Sequence, residues 1–396
     1  MSTEQKIGHP LIEPICYLTI LTLTLANVFI TEKVPLQLNI CAFSIGIIVV
    51  GSYRSLREMI SEMKKVHLQG KKSENIETIS NKDALQFPLF AGGTLLALYA
   101  SIKFFGKDSV NYFVLFYIGL GAATGIKALL QSFLGDALDK LDEKKIINIK
   151  NSYFELEVSP LDLICLFFSM IAVIVYFVSK SWIFNNMIAV LFCVHALQMI
   201  FLGNFKTGAL LLSLLFFYDI FFVFGTDVML TVAKNIDAPI KLMFPRDLTT
   251  DPKQYSILGL GDIVIPGIFM SLCLRYDFLK TLNKENLSEM IEAEKKGTKP
   301  TNTFIAHLIE KANAASKTYF TAVIVGYLVA IITTVVIMII FEHGQPALLY
   351  LVPGCLLAVG ITAVAKGEFS EVWSHSEDVF MGNVENGEEK TDKKEK

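Results

Sequence analysis

The chain has 396 residues, of which 53% are hydrophobic and only 18% are charged. Soluble domains carry about 25% charged residues, so this composition argues against soluble domains and predicts an integral membrane protein. The formal net charge of −3 provides no basic excess for nucleic acid, which is therefore not an expected partner. All six cysteines fall in apolar stretches, where we expect small buried side chains rather than a disulfide framework.

Ten apolar segments are long enough to cross a bilayer, because about 20 apolar residues in a helix span its hydrocarbon core. The sequence therefore predicts an all-α, polytopic membrane protein. The first segment has two interpretations: a signal peptide that is removed, or a retained helix that acts as a signal anchor. The predicted spans are 15–31, 35–51, 86–105, 110–134, 159–179, 182–203, 207–227, 256–276, 319–341 and 345–365.

Lys and Arg residues near the span ends predict the orientation of the chain. They are concentrated in the polar loops 52–85, 135–158 and 277–318. Ten spans place these loops and the C-terminal tail on the same side of the membrane. We expect that side to be cytosolic, and the connection 228–255 to lie on the opposite side.

Two aspartates lie inside predicted spans, where an ionisable side chain is costly and indicates a functional site. Asp219 is surrounded by Leu, Phe and Ile, and Asp262 lies near the start of the next span. The two spans are consecutive and antiparallel, and at 1.5 Å per helical residue the two aspartates differ in depth by only ~3 Å. We therefore expect Asp219 and Asp262 to face each other inside the membrane.

Two close carboxyl groups support two kinds of chemistry. They can share one proton, so that one acts as a general base on water while the other donates to a carbonyl oxygen, as in aspartyl peptide hydrolysis. They can also bind cations or relay protons in a transporter. The carboxyl groups alone leave both alternatives open.

The surroundings of Asp262 favour peptide hydrolysis. Gly259 and Gly261 allow unusual backbone angles and the close approach of another chain. Pro266 has no N–H to bond the Asp262 carbonyl, so the helix must begin near Asp262 and leave backbone groups available to a substrate strand. A helix start favours an anion, so we expect Asp262 to be the ionised base and Asp219 the protonated acid.

Three motifs then occur in order along the chain. Together with their flanking residues, they make the region 182–367 resemble the signal peptide peptidase branch of the presenilin-type intramembrane aspartyl proteases. The family's YD motif is matched by Tyr218 and Asp219, its GxGD motif by Gly259, Leu260, Gly261 and Asp262, and its PAL motif by Pro346, Ala347 and Leu348.

The resemblance implies a nine-helix presenilin-like bundle, with Asp219 and Asp262 as the catalytic pair and the PAL motif packed beside them. Tyr218 is expected to orient or hydrogen-bond near this pair, and no cofactor or metal is expected. The segment 15–31 has no counterpart in the nine-helix pattern, and we treat it as an extra N-terminal helix or signal segment. The predicted regions are an N-terminal segment 1–34, N-terminal transmembrane helices 35–181, a catalytic region 182–367 and a disordered cytosolic tail 368–396.

The resemblance further implies residence in the endoplasmic reticulum membrane and cleavage of signal peptides and other type II-oriented helices inside the bilayer. Expected partners are membrane lipids and transmembrane signal-peptide substrates, with a second copy of the chain and quality-control proteins of the endoplasmic reticulum as further candidates. Lys393 and Lys394 resemble a dilysine retrieval signal. The semi-apolar residues 238–245 are predicted to hold an unwound substrate strand by backbone pairing.

Two other functions are compatible with the same residues. A proton-coupled transporter would use the same two carboxyl groups. A non-catalytic chaperone or adaptor would bind misfolded membrane proteins through the same groove. Cleavage of a type II signal peptide distinguishes the protease from both.

Overall fold

The structure is a computed structural model that describes residues 12–29, 35–69, 77–134, 147–151, 154–236, 238–247, 254–282, 302–341 and 345–377. Its first half consists of five long helices and three short strands. Two of the helices, α3 and α5, begin with capping boxes that satisfy free N–H groups of the first turn. The elements are α1 (Ile12–Phe29), α2 (Leu36–Gln69), β1 (Glu77–Ile79), α3 (Asn81–Phe105), α4 (Lys107–Leu134), β2 (Ile147–Asn151), β3 (Phe154–Val158) and α5 (Pro160–Ser179).

The second half contains the segments that carry the three motifs. Its elements are α6 (Trp182–Met199), β4 (Ile200–Leu202), α7 (Phe205–Phe224), α8 (Val228–Asn235), β5 (Lys241–Asp247), β6 (Gln254–Gly259), α9 (Gly261–Leu282), α10 (Asn302–Ala314), α11 (Thr318–Phe341), α12 (Leu348–Ala365) and α13 (Phe369–Ser374). Strands β5 and β6 form an antiparallel hairpin that leads directly into α9. Strand β1 pairs in parallel with β4, and β2 pairs with β3 in antiparallel fashion.

Nine of the described helices, α1 to α7 with α11 and α12, are long and apolar enough to cross a membrane. This confirms the prediction of an all-α polytopic membrane protein. Helix α9 is not among the nine, although its 22 residues extend over about 33 Å. Its charged residues are Asp262, Arg275, Asp277 and Lys280.

Helix α9 is the central element of the bundle. Every residue from 266 to 279 is buried, because α2, α6, α7, α11 and α12 pack around the helix. The neighbouring helices therefore shield the charged side chains of Arg275 and Asp277 from lipid. By contrast, α1, α3 and α5 expose most of their large apolar side chains, as expected of helices that face lipid.

The first predicted span, 15–31, overlaps α1, which packs along α2. Near one end, Glu13 accepts a hydrogen bond of 2.8 Å from the Arg57 guanidinium group. Near the other end, the side-chain amides of Asn27 and Asn39 bond each other reciprocally at 3.0 Å in a buried position. A buried amide pair satisfies both partners and fixes the register of the two helices.

Helices α11 and α12 cross at two glycines. A Cβ atom on Gly326 would lie 2.6 Å from the carbonyl oxygen of Gly354, and one on Gly354 would lie 2.7 Å from Cβ of Ala330. The absence of side chains therefore allows the two backbones to touch. This contact places the start of α12, which carries the PAL motif, beside the central helix α9.

Two predicted boundaries differ from the structure. Helix α2 continues to Gln69, so the first part of the predicted loop 52–85 is helical, because Met59 and Met63 remain buried against the bundle. The predicted span 256–276 begins as strand β6, and its helix starts only at Gly261. The connection 228–255 contains α8 and β5.

The prediction of a disordered tail from residue 368 is wrong for residues 369–377. After α13, Ser376 forms a β-bridge with Asn204, and the N–H of Glu377 donates to the carbonyl of Gly203 at 2.9 Å. This segment is ordered because Glu377 pairs with Arg275 of α9. The remaining tail, with Lys393 and Lys394, lies outside the described residues.

Candidate active site

Helix α7 holds Asp219 inside the bundle. Asp219 is 4% exposed, and the residues around it in the helix are apolar. Its Oδ2 atom accepts a hydrogen bond of 3.1 Å from the backbone N–H of Leu348. Leu348 is the first residue of α12, where the N–H groups of a helix lack partners within the helix. The Asp219 carboxyl group therefore caps the start of α12.

The PAL motif lies at the point where α12 meets Asp219. The carbonyls of Pro346 and Ala347 accept hydrogen bonds from Leu349 at 3.2 Å and from Leu351 at 3.1 Å, so the helix starts immediately after the proline. Pro346 and Leu348 are buried. The motif thus contributes a backbone N–H group, rather than a side chain, to the candidate site.

Asp262 is the second residue of α9 and follows β6 after a single bend at Leu260. The N–H of Leu260 donates to the carbonyl of Ile240 at 3.3 Å, which continues the hairpin. The carbonyl of Leu260 accepts from the N–H of Val264 at 2.9 Å, which begins the helix. Strand and helix therefore meet at the GLGD motif.

Gly259 lies directly against the Asp262 carboxyl group. A Cβ atom at position 259 would lie 3.3 Å from Oδ2 of Asp262, which is tighter than ordinary contact. At Gly261, the nearest atom would be Cδ1 of Ile265 at an ordinary 3.8 Å. Neither glycine has a positive φ, so neither position requires glycine for its backbone angles. Close approach to the carboxyl group accounts for Gly259.

The two aspartates come together where α7 packs against α9. Their carboxyl groups are close enough to interact electrostatically. Asp219 is buried, whereas Asp262 is only partly buried. Among the side chains that the structure describes, neither aspartate forms an ion pair with Lys, Arg or His. Two neighbouring carboxyl groups without a counter-ion can hold one proton between them.

Tyr218 does not contact the aspartate pair by a hydrogen bond within the described part of the chain. Its ring packs against Phe222, with centroids 4.6 Å apart, and lies beside Gly92 of α3. Because successive residues of a helix point in different directions, the Tyr218 ring faces α3 while Asp219 faces α12. In this structure, Tyr218 is a packing residue next to the site.

Sequence reasoning missed Tyr327, a fully buried residue of α11. Its hydroxyl group donates a hydrogen bond of 3.3 Å to the backbone carbonyl of Asp262. The available signal was Pro266, whose missing N–H leaves this carbonyl without a partner in its own helix. The identity of the replacement donor depends on tertiary packing and could not be read from that signal.

Sequence reasoning also missed Asn185 and Asn186, two buried residues at the start of α6. The Asn186 side chain bonds both the N–H and the carbonyl of Met243 at 2.8 Å, and Asn185 donates to the carbonyl of Lys241 at 2.7 Å. These bonds occupy the outer edge of β5. They contradict the prediction that residues 238–245 are open for pairing with a substrate strand.

Within the part of the chain that the structure describes, no group of three or more His, Cys, Asp or Glu side chains could hold a metal ion. The chemistry of a carboxyl pair requires only water, because one group removes a proton and the other donates one.

Comparison with known proteins identifies the family. A family model described as signal peptide peptidase matches residues 71–379 of the chain. Signal peptide peptidase of Mus musculus is 35% identical over 322 residues, which cover 78% of this chain and 77% of that protein. The protein of the same name from Homo sapiens is 34% identical over 322 residues, with the same shares. The chain belongs to the signal peptide peptidase family.

A third relative, matched over a shorter region, agrees with this assignment. Intramembrane protease 2 of Caenorhabditis elegans is 38% identical over 237 residues, which cover 59% of this chain and 46% of that protein. The relatives and the membrane helices together identify the chain as an intramembrane protease. The alternative of a proton-coupled transporter receives no support from them.

Proposed function

We propose that this protease hydrolyses peptide bonds with Asp219 and Asp262 as a general acid–base pair. One carboxylate removes a proton from water, while the other carboxylic acid donates to the carbonyl oxygen of the scissile bond, and no covalent intermediate forms. The observation that carries the proposal is the meeting of two carboxyl groups, free of ion pairs among the described residues, at the junction of β6, α9 and α12.

The hydrogen bond from Leu348 favours Asp219 as the ionised member of the pair. A backbone N–H that points at a carboxyl oxygen stabilises the anion more than the neutral acid. This geometry supports the reverse of the assignment made from sequence, with Asp219 as the base and Asp262 as the acid. The two groups still titrate as a coupled pair, so the roles belong to the pair in its resting state.

The hairpin offers one open edge to a substrate strand. Residues Met243 and Lys241 direct their backbone groups outward to α6, and they face Ile257 and Gly259 across the hairpin. In a non-hydrogen-bonded pair of an antiparallel ladder, the N–H and C=O groups of both residues point away from the partner strand. Ile257 and Gly259 therefore direct their backbone groups to the outer edge of β6. We therefore propose that the substrate strand pairs with the outer edge of β6, which leads through the bend at Leu260 to Asp262.

The proposed substrates are signal peptides and other type II-oriented transmembrane helices, in line with the names of the mammalian relatives. Such a helix must unwind locally to expose a carbonyl, and the edge of β6 would satisfy the backbone groups that unwinding releases. Partial burial of Asp262 would allow water to reach the same point.

The proposed location is the endoplasmic reticulum membrane, with the C-terminus in the cytosol. The mammalian relatives and the terminal Lys393 and Lys394 support this location. If Lys393→Ala with Lys394→Ala leaves the cellular distribution unchanged, the dilysine pair is not the address. A homo-oligomer and quality-control proteins of the endoplasmic reticulum remain proposed partners.

The test uses the purified full chain in detergent with a synthetic type II signal peptide. We expect cleavage inside its apolar stretch, measured by product mass, and inhibition by a peptide mimic with a hydroxyl group in place of the scissile carbonyl. Inhibition by a metal chelator or a serine-directed reagent would contradict the aspartyl mechanism. Binding of the peptide without cleavage would favour the chaperone alternative.

A further inference from the structure

The backbone carbonyl of Asp262 has no donor in its own helix. In an α-helix the carbonyl of a residue accepts from the N–H of the residue four positions later. For Asp262 that residue is Pro266, which has no N–H. A buried carbonyl without a donor is unfavourable, so a partner from elsewhere in the bundle is required.

Tyr327 provides this partner from a different helix. It is a fully buried residue of α11, and its hydroxyl group donates to the Asp262 carbonyl at 3.3 Å. The backbone of Asp262 is therefore tied to α11.

The contact concerns the peptide group of Asp262 and not its carboxyl group. A hydrogen bond to the carbonyl fixes the rotation of the peptide plane, and that rotation sets the direction of the adjacent Cα–Cβ bond. The candidate partner Asp219 needs no such support, because it lies within an uninterrupted helix. Only Asp262 thus depends on a neighbouring helix for the position of its backbone, whereas the Asp219 carboxyl group is bonded directly by the Leu348 N–H.

We propose that Tyr327 is a positioning residue for peptide hydrolysis, because its hydroxyl replaces the donor that Pro266 removes and thereby aims Asp262 at the substrate. The proposal rests on the proposed role of Asp262 in catalysis. Tyr327 exchanges no proton with substrate or water. It acts on the catalytic step, which requires correct orientation, more than on substrate binding, which uses the strand edge.

The first test is Tyr327→Phe in the purified full chain, with a type II signal peptide as substrate. The phenyl ring preserves packing and removes only the hydroxyl group. We expect kcat to fall about tenfold, which corresponds to about 1.4 kcal/mol, with KM changed less than about twofold. The matched control is Thr334→Val on the same helix, because among the described residues the buried Thr334 hydroxyl bonds only the carbonyl of Ala330. The control should retain kcat.

The second test restores the missing donor. Pro266→Ala returns an N–H group four residues after Asp262, so the carbonyl regains a partner in its own helix. In the Pro266→Ala background, Tyr327→Phe should then cost less than about twofold, as expected for two substitutions that act on one contact. The affinity for a hydroxyl-containing transition-state mimic is measured in all four proteins, so that the comparison holds even where Pro266→Ala lowers turnover.

Two results would overturn the inference. An unchanged kcat in Tyr327→Phe would show that the hydroxyl does not position Asp262. If Tyr327→Phe lowered turnover and mimic affinity equally in the unsubstituted chain and in Pro266→Ala, the Tyr327 hydroxyl would have a packing role that is independent of the Asp262 carbonyl. A failure of the proposed function itself can be distinguished from these results, because it would appear as retained turnover in Asp262→Asn.

Discussion

The two ends of α9 are built from different interactions. At the Asp262 end, the helix is held by neutral groups: the Tyr327 hydroxyl and the backbone of the hairpin. At the opposite end, it is held by buried charges, among them Arg275, which is 0% exposed and pairs with Glu377 at 2.9 Å. The same helix therefore combines a charged end, here called the anchor and built on Arg275 and Glu377, with an end at which Asp262 forms no ion pair among the described residues.

The anchor joins several elements at once. The Arg275 guanidinium group also donates to Ser55 of α2 at 2.7 Å and lies over the Phe201 ring, 4.1 Å from its centroid. Asp277 accepts from the N–H groups of Tyr319 and Phe320 at 3.3 and 3.0 Å, which caps the start of α11. Because α11 carries Tyr327, the anchored end also determines where the donor to Asp262 lies.

The contrast explains how acid–base chemistry is compatible with a stable membrane fold. A Lys or Arg beside the aspartate pair would favour two anions and remove the proton that one of them must donate. Strong charge pairs are instead placed about 13 residues along the same helix, roughly 20 Å away at 1.5 Å per residue. We expect substitutions at the anchor to change stability, and substitutions near Asp262 to change turnover.

The largest expected effect on stability comes from Glu377→Ala. The substitution leaves Arg275 buried without its carboxylate partner, which costs about 3–5 kcal/mol in comparable cases. We expect a markedly lower Tm in detergent. The control is Glu371→Ala, because Glu371 is 58% exposed and only 3.9 Å from Lys280, where a pair contributes little.

The same anchor permits a rescue. Replacing both partners, as Arg275→Met with Glu377→Met, should recover most of the stability, because two apolar side chains leave no unpaired buried charge. A Tm for Glu377→Ala equal to that of the Glu371→Ala control would contradict the anchor role of the pair.

At the other end, Gly259→Ala should reduce turnover without destabilising the protein. The added methyl group would press on Oδ2 of Asp262 from 3.3 Å and displace the carboxyl group by a few tenths of an ångström. We expect kcat to fall roughly tenfold, since small misplacements of reacting groups have large effects on rate. The control is Gly93→Ala in α3, where a Cβ atom would meet nothing within 4 Å. A lower Tm with normal kcat in Gly259→Ala would contradict this account, because it would show that the Asp262 end of α9 serves stability rather than turnover.

The smallest expected effect is a pH dependence of stability from His375, which packs on Phe205 and Tyr276 beside the anchor. Burial, together with the nearby positive charge of Arg275, lowers the pKa of His375 to about 4. Its unfolded pKa is about 6.5, so between these values only the unfolded chain binds the proton. Stability should therefore fall as pH decreases from about 6.5 towards about 4.

His375→Phe keeps an aromatic ring against these neighbours and removes the titrating group. We expect the difference in Tm between about pH 7 and about pH 5 to shrink in this variant relative to the unsubstituted chain. An identical pH difference in both proteins would assign the dependence to other groups.

The sequence was informative wherever a residue type is unusual for its surroundings. Asp219 and Asp262 were found because acids are rare in apolar spans, and the start of α9 was found because Pro266 cannot continue a helix. The donor to the Asp262 carbonyl could not be predicted, because any hydroxyl from a neighbouring helix would serve and only packing selects Tyr327.

The hairpin and the anchor were missed for related reasons. Residues 256–259 are apolar enough to resemble the start of a membrane helix, and the strand position of β5 depends on Asn185 and Asn186 of a distant segment. Residues 369–377 are polar and resemble a free tail, yet Glu377 is buried because Arg275 needs a partner. Pairing between residues far apart in the sequence determines the structure of both segments, and a local sequence pattern cannot predict such pairing.

The central claim is that Asp219 and Asp262 act as one catalytic unit, and a double-mutant comparison tests it most directly. Turnover of a type II signal peptide is measured for Asp219→Asn, Asp262→Asn and the double variant, with Tm measured on the same samples. We predict that each single substitution abolishes hydrolysis, that the double variant is no worse than either, and that all three remain folded. Substantial turnover by either single variant would contradict the account.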